Sequence, residues 1–455
     1  MPQKSEETSG QAPGNAISAT VATTLVVANM IGTGVFTSLG YQVADLPGGF
    51  PILLLWTLGG AVAFCGAVCY AELGAMMPRS GGEYHLLRES LHPFAGFAGG
   101  WVSVFAGFAA PIAAAGLAFG GYLTKVIGAG DEKALAAAVT LAVGLVHVGK
   151  LRHIGRFQMI FTTFKVLLIL SLIGAAFFLA PAETRQPVGW LPRPGDGALL
   201  LRPAFAVSLY WVMYAYAGWN ASAYIAAEIR DPRLNLPRSL LAGTLIVTAL
   251  YVALNVAFLH VAPLPEIAGQ KEVALIAARH IFGERGGDLM GLLICFGLIS
   301  AISAMTWAGP RVLATIGEDY RAFRWFGKRN RHDVPARAVL AQTALVLLFV
   351  TARFDELIHY VQSLITLASL LVVAAVIHLR HQQPDRERPF RAWGYPLTPL
   401  IFIVVSLYML WVETWEKPRE MAAAAATLAL GGFVYFFTRR TGSDRPPTQD
   451  DSAAK

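Results

Sequence analysis

The chain has 455 residues, 55% hydrophobic and 14% charged, with mean hydropathy +0.52 and a formal net charge of +7. A soluble domain carries about 25% charged residues, so this composition excludes an ordinary soluble fold and points to a membrane. The positive charge calls for no nucleic-acid partner, because its densest stretch, Arg321 to Arg337, reads as an inner loop beside anionic lipid.

Residues 1–15 are polar and read as a disordered cytoplasmic tail with no cleavable signal sequence, and residues 441–455 read the same way. Between them lie twelve apolar runs suited to crossing a hydrocarbon core of about 30 Å. They fall at 16–46, 50–78, 94–127, 134–149, 154–180, 202–229, 237–262, 288–318, 335–352, 355–381, 395–415 and 419–438. With both termini inside, 24 of the 36 Lys and Arg face the cytoplasm and 11 the exterior, the bias that sets topology. Lys165 is left within the fifth span.

The first span is interrupted at Asn29-Met30-Ile31-Gly32-Thr33-Gly34-Val35-Phe36, and the sixth at Tyr214-Ala215-Tyr216-Ala217-Gly218-Trp219-Asn220. Glycine weakens a helix by about 1 kcal/mol relative to alanine, and irregular backbone at membrane depth survives only where it is buried in protein or lines a cavity. Breaks at corresponding places in two halves of a chain predict a secondary transporter with its substrate at the bilayer midplane. Close helix packing is the competing explanation, but Gly-Thr-Gly is too tightly spaced for a small-xxx-small face. The free N–H groups of Gly32, Thr33 and Gly34, at the start of a half-helix beginning near Val35, suit a carboxylate. The carbonyls of Met30 and Ile31, with those ending the half-helix near Tyr214 to Ala217, suit an ammonium group. Together the breaks fit the head of an α-amino acid.

Glu72 and Glu228 lie near the inner ends of the second and sixth spans, and Asp45 lies near the outer end of the first. No acid is expected at the midplane, so a cationic substrate side chain would lack a counter-charge, at a cost of several kcal/mol. Neutral substrates are therefore expected. Glu72, Glu83 and Glu228 read as inner-side partners of Arg79, Arg88 or Arg230, either locking a cytoplasmic gate or simply pairing. In the fifth span Lys165 either snorkels toward the interface or serves function. Cys65, Cys69 and Cys295 fall inside spans, which argues against disulfides. His147, His260, His359 and His378 are scattered without metal-ligand spacing, and no nucleotide, hydrolase or zinc motif occurs in a plausible context. The reading calls for no metal, no cofactor and no enzymatic activity.

These residues carry a resemblance. The first break, Tyr70-Ala71-Glu72-Leu73-Gly74 with Pro78-Arg79-Ser80-Gly81-Gly82-Glu83-Tyr84, the second break, and Glu228 to Pro237 together resemble the amino acid, polyamine and organocation transporter superfamily. Ala215 to Asn220 followed by Asn235-Leu236-Pro237 is most similar to its L-type amino acid transporter branch.

The resemblance implies an all-α membrane protein with a five-plus-five inverted repeat of the leucine-transporter type. Residues 16–180 would form the first repeat, 202–381 the second, and 395–438 two peripheral helices. It implies a substrate carboxylate at Gly32, Thr33 and Gly34, and an amine at Met30, Ile31, Tyr214 and Ala217 beside Gly218. It makes Tyr214 the gating aromatic and Asn220 a wall of the pocket. It sets Lys165 where sodium-coupled relatives hold their ion, beside Ala28, Ile31 and the hydroxyls of Ser300 or Ser303, as fixed charge or proton carrier. L-type transporters of animals pair with a glycoprotein through a cysteine between helices 3 and 4, and residues 126–133 hold none, so no disulfide-linked heavy chain is expected. The expectation is a sodium-independent carrier of neutral L-amino acids, exchanger or proton symporter, in a bacterial inner membrane, acting as monomer or weak homo-oligomer. A cationic amino acid or polyamine carrier, a non-transporting sensor and a channel are the alternatives.

Overall fold

The computed structural model describes residues 17–46, 48–149, 154–200, 202–332 and 334–441, and for 154–157 and 439–441 the backbone alone. Most of both expected tails lies outside the described residues. Ser18 opens the first helix by accepting from Val21 N at 3.3 Å, a side-chain N-cap. That helix, α1 (Ala19–Met30), stops where Ile31 leaves helical geometry at ψ 83°, and α2 (Gly34–Asp45) restarts after Thr33, one residue earlier than the sequence suggests. The long α3 (Gly49–Met76) follows, then the short α4 (Glu83–Ser90).

The third expected span is one rod made of α5 (Pro93–Val102), a π-helical stretch (Ser103–Ala109) and α6 (Ala110–Ile127). Its bulge has a local cause: Pro111 has no N–H for the Gly107 carbonyl, and the ladder widens just before it. Next come α7 (Glu132–Val148), capped by Asp131 accepting from Ala134 N at 2.7 Å, and α8 (Ile154–Phe178). A loop containing α9 (Asp196–Leu199) leads to α10 (Pro203–Tyr216).

The second break differs from the first. Ala217 is extended at ψ 146°, Gly218 takes φ 98°, and the chain continues as a 3-10 helix (Ala221–Glu228). Then follow α11 (Pro232–Val261), α12 (Leu264–Ile267), α13 (Val273–Asp319, turned at Gly283), α14 (Arg324–Gly327), α15 (Ala336–Phe349), α16 (Phe354–Gln382), α17 (Leu397–Glu416) and α18 (Pro418–Thr441).

Every one of the twelve expected spans coincides with helical structure, and nine stretches among the described residues are long and apolar enough to cross a membrane. Those at 134–149, 202–229 and 335–352 are shorter, with helices of 17, 14 and 14 residues. The broken helix α1–α2 sits inside the bundle, against α8, α10, α11 and α13, while the outer faces of α17 and α18 expose residues such as Trp411, Trp415 and Phe433. All three cysteines are buried and free.

Candidate functional site

The two breaks cross backbone to backbone, and two glycines make this possible. A Cβ on Gly34 would stand 2.4 Å from the Ala215 Cα, and one on Gly218 would stand 3.0 Å from the Asn29 carbonyl. Gly218 also occupies positive φ, where other residues are strained. Gly32 is different: the nearest atom to its absent Cβ is the Met30 oxygen at 3.9 Å. Between the breaks lies a cavity of about 100 Å³, on a measure where one water needs roughly 10–15 Å³. Of the sequence-predicted binding residues, all but Ile31 line it, and Ala28 does too. The bulged stretch of the third rod, α13 and α16 supply the remaining wall, largely apolar, with Phe108, Met305 and Ile365 among it.

Three of the four carbonyls expected to receive an ammonium group, those of Met30, Ile31 and Tyr214, are engaged within the protein. Met30 O accepts both the Tyr251 hydroxyl and Gly32 N, the latter at 2.8 Å, which occupies both its lone pairs. Tyr214 O accepts Ala217 N at 3.0 Å. Lys165, 2% exposed, donates to Ala28 O at 2.9 Å and Ile31 O at 2.7 Å. Lys165 therefore does not snorkel, and the Ile31 carbonyl is turned toward it. These contacts correct the idea of an open carbonyl nest on the first break, because an unwound turn buried in protein must satisfy its own polar groups. The N–H side fares differently. Gly32 N is taken by Met30, whereas Thr33, the N-cap of α2, makes no side-chain cap bond, so the first amides of α2 are left open as at any helix N-terminus.

Ser300 and Ser303 do not bond Lys165. The stem of Lys165 passes Gly297 on α13, where an added Cβ would lie 3.4 Å from Lys165 Cγ, while Ser303 lies two turns further along. Ser303 Oγ instead meets His147 Nε2 at 3.2 Å and Gln158 Nε2 at 3.5 Å, and Ser300 Oγ is buried without a partner.

The acidic residues need the largest correction. Glu83 lines the cavity and is 4% exposed. Tyr70 donates to it at 3.0 Å and Asn220 and Tyr224 more closely, while Ser103 Oγ lies 3.5 Å away and donates to Gly99 O at 2.9 Å. Glu83 pairs with neither Arg79 nor Arg88. Gly81 and Gly82, at φ 130° and 55°, turn the chain so that Glu83 opens α4 facing inward, and proximity in sequence misleads here. Arg88 instead joins Asp319 and the Tyr84 hydroxyl. Glu72 is clasped by Arg380 at 2.6 Å, with Arg388 at 3.3 Å and Ala392 N donating at 2.7 Å. Glu228 pairs with Arg311 at 3.0 Å, and the Ile17 N–H donates to its carbonyl at 2.8 Å. The cations came from α13, α16 and the loop after it, segments far away in sequence.

On the opposite side of the cavity, the Tyr214 hydroxyl and Thr33 Oγ1 share a hydrogen bond of 2.9 Å across the two breaks. Behind it, Tyr41 of α2 stacks on Trp211 of α10 with centroids 4.1 Å apart, and Ser38 donates to Trp211 O at 3.2 Å. The sequence reading missed Tyr251, Tyr70 and Tyr224, aromatic residues whose hydroxyls reach the breaks and Glu83. Their only signal was polar tips in otherwise apolar runs. It also missed the bulge, whose signal was Gly107 four residues before Pro111.

An interrupted helix pair around a small cavity, in a bundle of apolar helices, is the architecture of a membrane carrier. The amino acid permease family model matches residues 17–434, and the chain belongs to that family of multi-pass membrane transporters within the superfamily its motifs resemble. It is 26% identical over 427 residues to the b(0,+)-type amino acid transporter 1 of Mus musculus, covering 91% of this chain and 85% of that one. It is 28% identical over 398 residues to the serine/threonine exchanger SteT of Bacillus subtilis (strain 168), covering 86% and 89%. The large neutral amino acids transporter small subunit 2 of Mus musculus is 27% identical over 430 residues, covering 90% and 78%. The chain is an amino acid transporter, not an enzyme.

Proposed function

We propose that this transporter is a sodium-independent exchanger of neutral L-amino acids, working by alternating access in a bacterial inner membrane with both termini cytoplasmic. Twelve spanning helices, repeated five-plus-five over 16–180 and 202–381 with 395–438 peripheral, complete the proposed architecture. The observation that carries the reading is the Lys165 ammonium on the Ala28 and Ile31 carbonyls, which supplies a built-in cation against the unwound end of α1. A sodium ion would have to compete with it. The substrate carboxylate is proposed to meet the amides of Thr33 and Gly34, with Met30, Gly32, Tyr214, Ala217, Gly218 and Asn220 around the head group, and Tyr214 as gate. Glu72 and Glu228, each tied to arginine, are proposed to hold the inner side. The exchange mode draws support from the exchanger among the relatives. With no cysteine between α6 and α7, the transporter is proposed to act without a disulfide-linked partner, as monomer or weak homo-oligomer.

Glu83 supports a second reading, a carrier of cationic amino acids. A lone carboxylate in the cavity attracts an ammonium or guanidinium group. The neutral reading is preferred because Tyr70, Asn220 and Tyr224 already donate closely to this carboxylate, while the single Ser103 proton is nearer Gly99 O at 2.9 Å. A cationic side chain would have to displace one of them.

Proteoliposomes, empty or preloaded with unlabelled serine and leucine, test both readings through uptake of labelled serine, leucine and arginine. Counterflow of serine or leucine that requires preloading and ignores sodium is the expected result. Accumulation into empty vesicles driven by a proton gradient would replace exchange by symport. Arginine as the preferred substrate would establish the second reading, and strict sodium dependence would overturn the role given to Lys165.

A further inference from the structure

The basic stretch that opens at Arg321 has no part in the exchange reading, yet the structure sets it beside a second hollow. α13 is long and apolar enough to cross a membrane, so the chain leaving it at Asp319 belongs at head-group depth. There a 3-10 turn (Arg321–Phe323) and α14 keep Phe323 and Phe326 half-buried, while Arg321, Arg324, Trp325 and Lys328 are exposed. Alternating cations and aromatic rings suit a membrane interface.

Phe323 and Phe326 help to line a crevice of about 160 Å³, whose other walls include Val104 and Phe105 of the π-helical stretch, Leu313 of α13 and Leu345 of α15. All six side chains are half-exposed, so the crevice opens at the surface of the bundle, where a membrane places acyl chains. The polar groups on its wall are already engaged. The Trp101 indole donates to Thr427 O at 2.9 Å, and the Gln342 amide to Met305 O at 3.5 Å. Such a wall suits hydrocarbon and penalises a polar metabolite.

The charge beside it is unspent. Arg321, Arg324 and Lys328 make no ion pair and no side-chain hydrogen bond among the described residues, whereas Arg329 pairs with Glu318 at 4.0 Å. The Arg337 guanidinium lies 4.9 Å from the centre of the Trp325 ring, which ties α14 to α15. Apolar wall and free cations meet within one turn of chain, since Arg324 stands between Phe323 and Trp325.

We propose that this crevice binds an anionic phospholipid, with one acyl chain between the π-helical stretch, α13 and α15 and the phosphodiester on Arg321, Arg324 and Lys328. Guanidinium groups match a pair of phosphate oxygens, and unpaired cations select against a head group that carries its own positive charge. The site backs onto the substrate cavity, because Ser103, Gly107 and Phe108 of the same π-helical stretch line that cavity from the other side. A bound chain therefore braces the widened turn that forms the cavity wall.

The test is native mass spectrometry of the purified full chain in neutral detergent, offered equal amounts of dioleoyl phosphatidylglycerol and dioleoyl phosphatidylcholine. It needs no transport, so its outcome is independent of the exchange reading. Wild type should retain phosphatidylglycerol several-fold over phosphatidylcholine. Arg321→Gln, Arg324→Gln and Lys328→Gln together, all at exposed positions, should bring the two lipids to parity. Ala341→Trp, which fills the crevice and leaves the charges in place, should do the same, with Leu345→Gln as its substitute if that variant does not fold. Parity in wild type, or the wild-type ratio in either variant, overturns the proposal; loss in the charge variant with retention in the filled one would mean diffuse attraction to a basic surface. Glycerol 3-phosphate, a head group without chains, should leave bound lipid in place, and displacement by it would overturn the assignment of the crevice to an acyl chain.

Discussion

Lys165 and Glu83 are buried side chains of opposite charge, 2% and 4% exposed, and neither has a counter-ion among the described residues. Each is neutralised by dipoles, but of different kinds. Lys165 rests on two main-chain carbonyls at the end of α1, groups that cannot rotate away from it. Glu83 rests on side chains from α3, the π-helical stretch and the 3-10 segment, each free to leave with its own element. The first arrangement belongs to a frame, because it binds α8 to α1 through fixed backbone. The second belongs to a joint, because it gathers three elements around one charge that any of them can abandon. Alternating access needs both, since a moving half-helix must swing against something that does not move.

Removing the Lys165 charge should break the comparison most severely. Lys165→Met keeps the length and burial of the stem but leaves the Ala28 and Ile31 carbonyls unmet, about 1–3 kcal/mol for each. Exchange should disappear and the thermal midpoint in detergent should fall. Robust counterflow from Lys165→Met at wild-type stability would mean that α1 is held some other way. Glu83→Gln should act less drastically. The amide oxygen still accepts from Tyr70 and Asn220 and the NH₂ group can donate to the Tyr224 hydroxyl, so charge-assisted bonds become neutral ones, a loss of about 1 kcal/mol. The expected result is a folded carrier with a several-fold weaker inhibition by arginine relative to leucine. Unchanged inhibition by both would remove Glu83 from any influence on substrate charge.

Much of this frame was legible in the sequence and much of the joint was not, for a physical reason. A glycine break inside an apolar run is a local signal, and so is a lysine in mid-span. Both breaks, and the place of Lys165 within a span, could be read from neighbours in the chain. Helix existence followed from apolar length alone. Partners are another matter. Glu83 stands four residues from Arg79 and five from Arg88, yet two positive-φ glycines turn it away from both, toward Tyr224 and Asn220 more than a hundred residues on. Glu72 and Glu228 likewise found arginines on α16 and α13. The roles of Ser300 and Ser303 were assigned by resemblance, and a turn or two of helix was enough to give Ser303 to His147 instead. His359 of α16 is hydrogen-bonded to Glu413 of α17, residues 54 apart with no pattern between them.

Tyr214→Phe is the mildest of the changes and the sharpest test of where frame ends and joint begins. Only one hydroxyl is lost, the one shared with Thr33 at 2.9 Å, while the ring keeps its place over the cavity. A single neutral hydrogen bond contributes about 0.5–1.5 kcal/mol, so the effect should be between twofold and roughly tenfold in rate or apparent affinity. Its direction carries the information. If the bond closes a gate, Tyr214→Phe should leave substrate binding to the detergent-solubilised carrier nearly intact and speed the release of bound label. If the bond only braces α2 against α10, stability should fall and release should not change. A gate belongs with Glu83 to the joint, and a brace would extend the Lys165 frame across the second break.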